Sequence, residues 1–148
     1  MNIMNENLEL LEYIYQNSSM GVYTLNRLIK ELNGKDNKIK KHVEEEIKGY
    51  EEFLKKTEKL IKKNKCEVKD NNFMAKMGAT FSIKMDTMKD NSDASIAHML
   101  VQGITMGLVD IETKISNYKE SAKSDILDIA KDFKKFSEEK IEELKRFM

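Results

Sequence analysis

The sequence predicts an all-α protein folded as an antiparallel four-helix bundle, and three observations support this prediction. The chain has 148 residues and no proline, a residue that breaks helix interiors. Apolar residues recur at steps of three and four along four long segments, which is the spacing of a helix face. No segment shows the sustained alternation of apolar and polar residues that is typical of strands. The length predicts a single domain, 1–148.

The first predicted helix covers residues 5–32. Its packing face is expected to follow residues spaced by threes and fours: Leu8, Leu11, Tyr15, Ser18, Val22, Leu25, Ile29 and Leu32. Asn33 and Gly34 come next. Glycine directly after a helix accepts the left-handed conformation that ends it, so we expect a stop at this point.

The second predicted helix covers residues 36–64, with Asp36 as its N-cap. Its packing face includes Ile39, Val43, Glu46, Tyr50, Phe53, Thr57 and Leu60, flanked by Ile47, Leu54 and Ile61. The opposite face carries lysine and glutamate, many of them four residues apart, which is typical of a solvated surface.

A polar connection, 65–72, and a shorter amphipathic stripe lead to the third helix. The stripe predicts an extra short helix, ending near Asp90, and its apolar residues are Phe73, Met74, Met77, Phe81, Met85 and Met88. Methionine at helical spacing usually fills a core, and a groove for a small apolar ligand is the alternative. Because the other links are short, the crossover is expected between the second and third helices.

The third predicted helix, 92–121, begins after the capping triplet Asn91-Ser92-Asp93. It contains sixteen residues without Asp, Glu, Lys or Arg, Ala94–Val109, which we expect in the middle of the core. This run is shorter than the roughly 18 apolar residues that indicate a membrane span, so none is predicted. Gly103 and Gly107 are expected to let helices approach closely. The helix is apolar on more than one face, which also allows a dimer interface.

The fourth predicted helix runs from about residue 124 to the end. Its apolar residues again follow helical spacing: Ile126, Ile129, Phe133, Phe136, Ile141, Leu144 and Phe147.

The composition excludes several classes of protein. The 26 basic residues balance the 26 acidic ones, so no strong field attracts nucleic acid. Arg27 and Arg146 are the only arginines, and arginine is the preferred ligand for guanine and phosphate. The single cysteine, Cys66, excludes an internal disulfide and suits a reducing compartment. The first residues lack the pattern of a signal peptide. We therefore expect a cytoplasmic protein that binds no nucleic acid.

Glu46 is the sharpest polar anomaly, because it interrupts an apolar helix face where a carboxylate needs a partner. One interpretation is a metal ligand, with His42 one turn earlier on the same helix. A residual site for iron, manganese or zinc would then draw further carboxylates from Asp110 and Glu138. The other interpretation is a structural side chain that reaches the bundle rim or bonds to Tyr15, Tyr50 or a lysine.

Two other residues have candidate roles. His98 lies inside the uncharged run and is expected to be a neutral histidine bonded to a backbone carbonyl or a hydroxyl. Cys66 follows Lys65 in a polar connection, which suggests a slightly activated thiol. No second cysteine accompanies it, so a nucleophilic role is not expected.

Three segments together resemble the ferritin-like superfamily, and more closely the small ferritin-like proteins of spore-forming bacteria, some of them related to spore-coat proteins. They are Met20-Gly21, the run IAHMLVQGITMGLVDI from Ile96, and EEKIEELKRF from Glu138. The resemblance spans nearly the whole chain. It implies a ferritin-like bundle, with the crossover between helices two and three, and an association with spores.

The resemblance also implies a di-iron site, from which this chain departs. Active ferritin-like proteins supply one Glu from each of two helices and a Glu-x-x-His pair from each of the others. Here the pairs would be Glu46 with Gly49 and Glu138 with Ile141, and the first helix offers Ser18-Ser19. A degenerate site favours a non-catalytic bundle without a cofactor, acting as a homodimer or with a protein partner. The alternative is a residual metal site.

Overall fold

The computed structural model describes residues 3–68, 79–82, 84–86 and 90–148, with side chains from residue 6 onward. Four long helices make up most of this part of the chain: α1 Ile3–Glu31, α2 Ile39–Lys63, α3 Asp93–Tyr118 and α4 Ser124–Lys145. Residues 79–82 and 84–86 are also helical, and we call them the crossover helix. The described residues include no strand, so the predicted all-α class is confirmed.

The extra helix predicted in the crossover is seen in part. Phe73, Met74, Met77 and Met88 lie outside the described residues. Of the same stripe, Phe81 is half-buried and Met85 is buried against the core.

The predicted end of α1 is confirmed. The helix stops at Glu31, and Gly34 has a φ of +78°, a conformation that side chains other than glycine's rarely adopt. The amide of Lys35 donates to the carbonyl of Leu32 at 3.0 Å, which closes the turn.

The core draws apolar side chains from all four long helices. α1 packs chiefly on α2, and α3 chiefly on α4, with further contacts of α1 to α3 and of α4 to both α1 and α2. The face predicted for α2 is largely correct, since seven of its ten residues are buried: Ile39, Val43, Glu46, Ile47, Tyr50, Phe53 and Thr57. On α1, three fully buried apolar residues were missed: Leu10, Ile14 and Leu28.

Aromatic rings join α2 to α4 in the middle of the core. The Phe53 ring meets those of Phe133 and Phe136 edge to face, with centroids 5.1 and 5.4 Å apart. Tyr50 contacts Phe136 in the same way at 5.1 Å. Offset and edge-to-face arrangements are the favourable ones for aromatic pairs, so this cluster fixes the mutual position of α2 and α4.

The N-terminus of α2 is capped differently from the prediction. The helix begins at Ile39, and its N-cap residue, Lys38, makes no side-chain cap. The carboxylate of Asp93, the first residue of α3, accepts instead from the amide of Lys38 at 3.1 Å and from that of Ile39 at 3.4 Å. Asp36 is therefore not the cap. The first amides of a helix need an acceptor, and here a residue distant in sequence supplies it.

A polar junction holds the other end of the helices together. The amide of Lys123, just before α4, donates to Asn7 Oδ1 of α1 at 2.8 Å. The Lys123 ammonium donates to Asn64 Oδ1, just after α2, at 2.6 Å. Both asparagines are buried, so the junction ties α1, α2 and α4 to one point.

The prediction that the uncharged run lies in the middle of the core is wrong for much of the run, since seven of its sixteen residues are exposed. Only four of its residues are buried: Ile96, Ala97, Met99 and Leu100. Gly107 lies against α1, but a Cβ on Gly103 would meet nothing within 4 Å. The error has a simple cause. Uncharged residues can lie at the surface as well as in the core. The absence of charge therefore does not require every face of the helix to be buried.

Candidate functional site at Glu46

Glu46 lies in the interior and does not reach the bundle rim. Its residue is 2% exposed, and its Oε1 lies 3.2 Å from Nε2 of His42, one helical turn earlier. The other ring nitrogen of His42, Nδ1, lies 3.5 Å from Glu143 Oε2 on α4. Lys140 donates to that same Glu143 oxygen at 2.9 Å. A chain of polar groups therefore leads from the buried carboxylate to the surface of α4.

A cavity of about 140 Å³ lies beside Glu46. It lies between α1, α2, α3 and the crossover helix, is partly open to solvent, and has a mainly apolar wall. The apolar residues of that wall come from α1, α3 and the crossover helix: Met20, Leu25, Phe81, Met99, Leu100 and Ile104. Glu46 and Tyr50 are among its polar lining residues, and Lys84 of the crossover helix is another. The cavity is thus an apolar space with a carboxylate in its wall.

The pKa values of two tyrosines are raised in this interior. Burial raises the pKa of Tyr50 well above its ordinary value, and the negative charges of Glu46 and of an ionised Tyr13 raise it further. Burial is also the main cause of the raised pKa of Tyr13, with a contribution from the charge of Asp110. The Tyr13 hydroxyl donates to the carbonyl of Gly107 at 2.8 Å. Both phenols are therefore held in the neutral form.

The structure brings together two of the four residues suggested as metal ligands. Glu46 and His42 are in contact, but Glu138 is exposed on α4. Asp110 is exposed on α3, where it interacts with Tyr13. Over residues 3–68, 79–82, 84–86 and 90–148, no three His, Cys, Asp or Glu side chains are grouped as metal ligands. Structural and catalytic zinc sites use three or four protein ligands.

The residues at the ferritin-like ligand positions do not fit a di-iron centre. The place of the first missing histidine is Gly49, and a Cβ there would lie 2.3 Å from the Phe136 ring. Ser18, on α1, supplies a buried hydroxyl that has no hydrogen-bond partner among the described residues. The ring of Phe136 thus fills the space that a ligand at position 49 would need.

The two remaining candidates occupy ordinary surroundings. His98 is exposed, and its Nε2 lies 3.4 Å from the side-chain nitrogen of Gln102. This neighbour is neither a backbone carbonyl nor a hydroxyl, so the expected partner of His98 is corrected. Cys66 is half-buried, with its Sγ 3.5 Å from the carbonyl oxygen of Asn64.

One side of α3 forms a second feature of interest, which sequence reasoning placed mainly in the core. Five exposed residues lie along one strip of the helix and carry no formal charge with histidine neutral; we call them the α3 outer face: His98, Gln102, Thr105, Met106 and Val109. Met106 and Val109 are 58% and 57% exposed. Large apolar side chains with this exposure are candidates for contact with a partner when they are neighbours.

By length and composition alone, α3 is apolar enough to cross a membrane. The core helix of a soluble protein passes the same test, although only 28% of the most apolar window of α3 is buried. Its five buried residues, which include Ile96 and Ile111, pack in the core with the other helices.

Comparisons of the chain with protein-family models, with curated proteins and with solved structures found no match. The ferritin-like resemblance therefore stays an expectation drawn from the residues that suggest it.

Proposed function

We propose that the protein is a non-catalytic bundle of the ferritin-like arrangement that acts by pairing with a second copy of itself through the α3 outer face. The exposure of this uncharged face carries the proposal. The arrangement and the pairing rest on different contacts.

Contacts between the helices support an antiparallel arrangement with a ferritin-like crossover. Early in α1, Glu9 pairs with Lys114 late in α3 at 2.9 Å, whereas Thr24 and Leu25 share a cavity wall with Leu100. α1 and α3 thus run in opposite directions. Asp93 caps α2, so α2 and α3 begin at the same end of the bundle. The chain between them must then return along its length, which is the long crossover of ferritin-like folds.

The chemistry of the α3 outer face supports a second copy as its partner. Two such faces bury no formal charge when they meet, because residues 94–109 contain none. The net charge of the chain is zero, so two copies experience little long-range repulsion. A two-fold axis uses the same patch on both subunits, and therefore needs only a surface compatible with itself.

The size of this face predicts a weak dimer. Sixteen helical residues extend about 24 Å, which offers less than the roughly 800 Å² per partner of a typical stable interface. We expect a dissociation constant between about 1 and 100 μM.

Sedimentation equilibrium from 5 to 500 μM would test the proposal on the full chain. The dimer fraction of the wild type should rise with concentration over this range. Met106→Glu should raise the dissociation constant at least tenfold, since it places a carboxylate in an apolar interface. Tyr23→Glu is the matched control, because Tyr23 is equally exposed, at 63%, but on α1.

A strict monomer at 500 μM, or equal weakening by both variants, would contradict pairing through α3. Flotation with lipid vesicles tests the alternative that this apolar helix binds a membrane. Wild type that floats with neutral vesicles, and loses this ability in Met106→Glu, would assign the face to a membrane and overturn the proposal.

A further inference from the structure

We propose that the cavity beside Glu46 is a binding site for a small primary amine with an apolar body, whose ammonium group donates to the Glu46 carboxylate. This inference is independent of pairing through α3, because it rests on the interior of a single chain. It follows from the size of the cavity, the chemistry of its wall and the position of the carboxylate.

The size of the cavity limits the ligand to a small molecule. Its volume is about 140 Å³, and an apolar cavity of about 150 Å³ accommodates a benzene molecule. Protein interiors are otherwise close-packed, with few voids larger than a water molecule. A ring or a short branched chain with one polar group is therefore the largest body that fits.

The residues of the wall determine the polarity of the ligand that fits. Met20 of α1 and Met99 of α3 line the cavity together with Phe81 of the crossover helix. Methionine is flexible and polarisable, so it adapts to ligands of different shape and packs well against aromatic rings. These side chains favour an aliphatic or aromatic group and offer it no directional bond.

Glu46 determines the polar end of the ligand. A buried carboxylate is costly unless charged or hydrogen-bonding partners surround it, and an ionised one accepts up to about four hydrogen bonds. His42 provides one neighbour, at 3.2 Å from Oε1. An ammonium group brings three donors and the opposite charge. A carboxylic acid would instead place a second negative charge beside Glu46.

Other groups near the cavity are compatible with an amine. Tyr50 lies in the wall, and its neutral hydroxyl can accept as well as donate. Lys84 belongs to the crossover helix and has an exposed side chain, so its charge is screened by water and salt.

Three probes that share one ring would test the proposal on the wild-type chain: benzylamine, toluene and benzoate. Binding would be followed by the methyl signals of methionine in NMR spectra. Benzylamine should shift the signals of Met20 and Met99 in a saturable manner, at least tenfold more tightly than toluene does, and benzoate should not bind. Equal affinity for benzylamine and toluene, or saturable binding of benzoate, would overturn the role of Glu46.

Two pairs of measurements locate the site. Glu46→Gln should weaken benzylamine at least tenfold and leave toluene within about twofold, since it removes one charge at nearly constant shape. Ile104→Phe should abolish the binding of both probes by filling the cavity. Its control is Ile115→Phe, an equally half-buried isoleucine of α3 away from the cavity. Unchanged benzylamine affinity in Glu46→Gln or in Ile104→Phe would contradict the proposed site. The probe comparison on wild type decides the matter if a variant fails to fold.

Discussion

At the scale of single residues, two helical glycines illustrate opposite demands of packing. A Cβ on Gly49 would lie 2.3 Å from the Phe136 ring, whereas one on Gly103 would meet nothing within 4 Å. The first position therefore needs the absence of a side chain. Position 103 has room for a side chain within one copy of the chain.

We expect alanine at these positions to have effects of opposite sign. Gly49→Ala should lower the free energy of unfolding by about 1–3 kcal/mol, because the Phe136 ring must move. Gly103→Ala should raise it by up to about 1 kcal/mol, because alanine favours the helix. Urea unfolding at a protein concentration far below the expected dissociation constant, where pairing is negligible, measures both. Equal effects of the two changes would contradict this account of Gly49.

Ser18 and Ser137 provide a second comparison at this scale. Both are buried in helices, at 0% and 2% exposure. The Ser137 hydroxyl donates to the carbonyl of Phe133 at 3.0 Å, whereas that of Ser18 has no partner in the part of the chain that the structure describes. A buried hydroxyl without a partner lowers stability.

Ser18→Ala should therefore stabilise the protein relative to Ser137→Ala by about 1 kcal/mol. The gain in helix propensity is the same in both variants, so their difference isolates the hydrogen bond. Thermal and urea unfolding of the two variants measure this difference. Ser18→Ala that proves less stable than Ser137→Ala would show that the Ser18 hydroxyl contributes to stability.

At the scale of elements, the start of α2 depends on α3. Asp93 accepts from two backbone amides there and also from the side chain of Asn37 at 2.9 Å. Its negative charge lies at the positive end of the helix dipole, which adds to the hydrogen bonds.

Asp93→Ala should consequently lower the free energy of unfolding by about 1–2 kcal/mol, the usual cost of losing a helix cap. Asp36→Ala tests the cap that the sequence suggested, and should change stability by less than about 0.5 kcal/mol. Urea unfolding of both variants decides between the two aspartates. A greater loss of stability in Asp36→Ala than in Asp93→Ala would show that Asp36 caps α2.

The elements also show what sequence reasoning could reach. The face of α2 was predictable because its outer side is rich in charge, which leaves only one orientation for Tyr50 and Phe53. α3 offered no such contrast, so its exposed side could not be separated from its buried side. The contact of His42 with Glu46 was accessible from their spacing. The approach of Glu143 and the cavity were not, since they depend on how other helices pack.

At the scale of the whole molecule, the buried tyrosines make stability sensitive to alkaline pH. The pKa values of Tyr13 and Tyr50 are raised in the folded protein above their ordinary value of 10.0. Their contribution to stability is therefore complete below pH 10 and is lost as the pH rises above it, because unfolding then releases protons.

We expect the free energy of unfolding to fall between about pH 10 and 11.5, and Tyr50→Phe to make this fall shallower by up to about 1.4 kcal/mol per pH unit. Urea unfolding at a series of pH values measures both slopes. Tyr23→Phe controls for the loss of a hydroxyl at an exposed position. Identical slopes for wild type and Tyr50→Phe would mean that the pKa of Tyr50 is the same in the folded and unfolded protein.

The ring of Phe136 against Gly49 also restricts how the chain can change by mutation. A side chain that enters position 49 first meets an aromatic ring at 2.3 Å, so histidine there becomes tolerable only after position 136 has become smaller. Reducing Phe136 alone removes its contacts with Tyr50 and Phe53, which lowers stability even though this ring is only half-buried. Each step is thus unfavourable without the other, and the two positions are expected to change together or remain as they are.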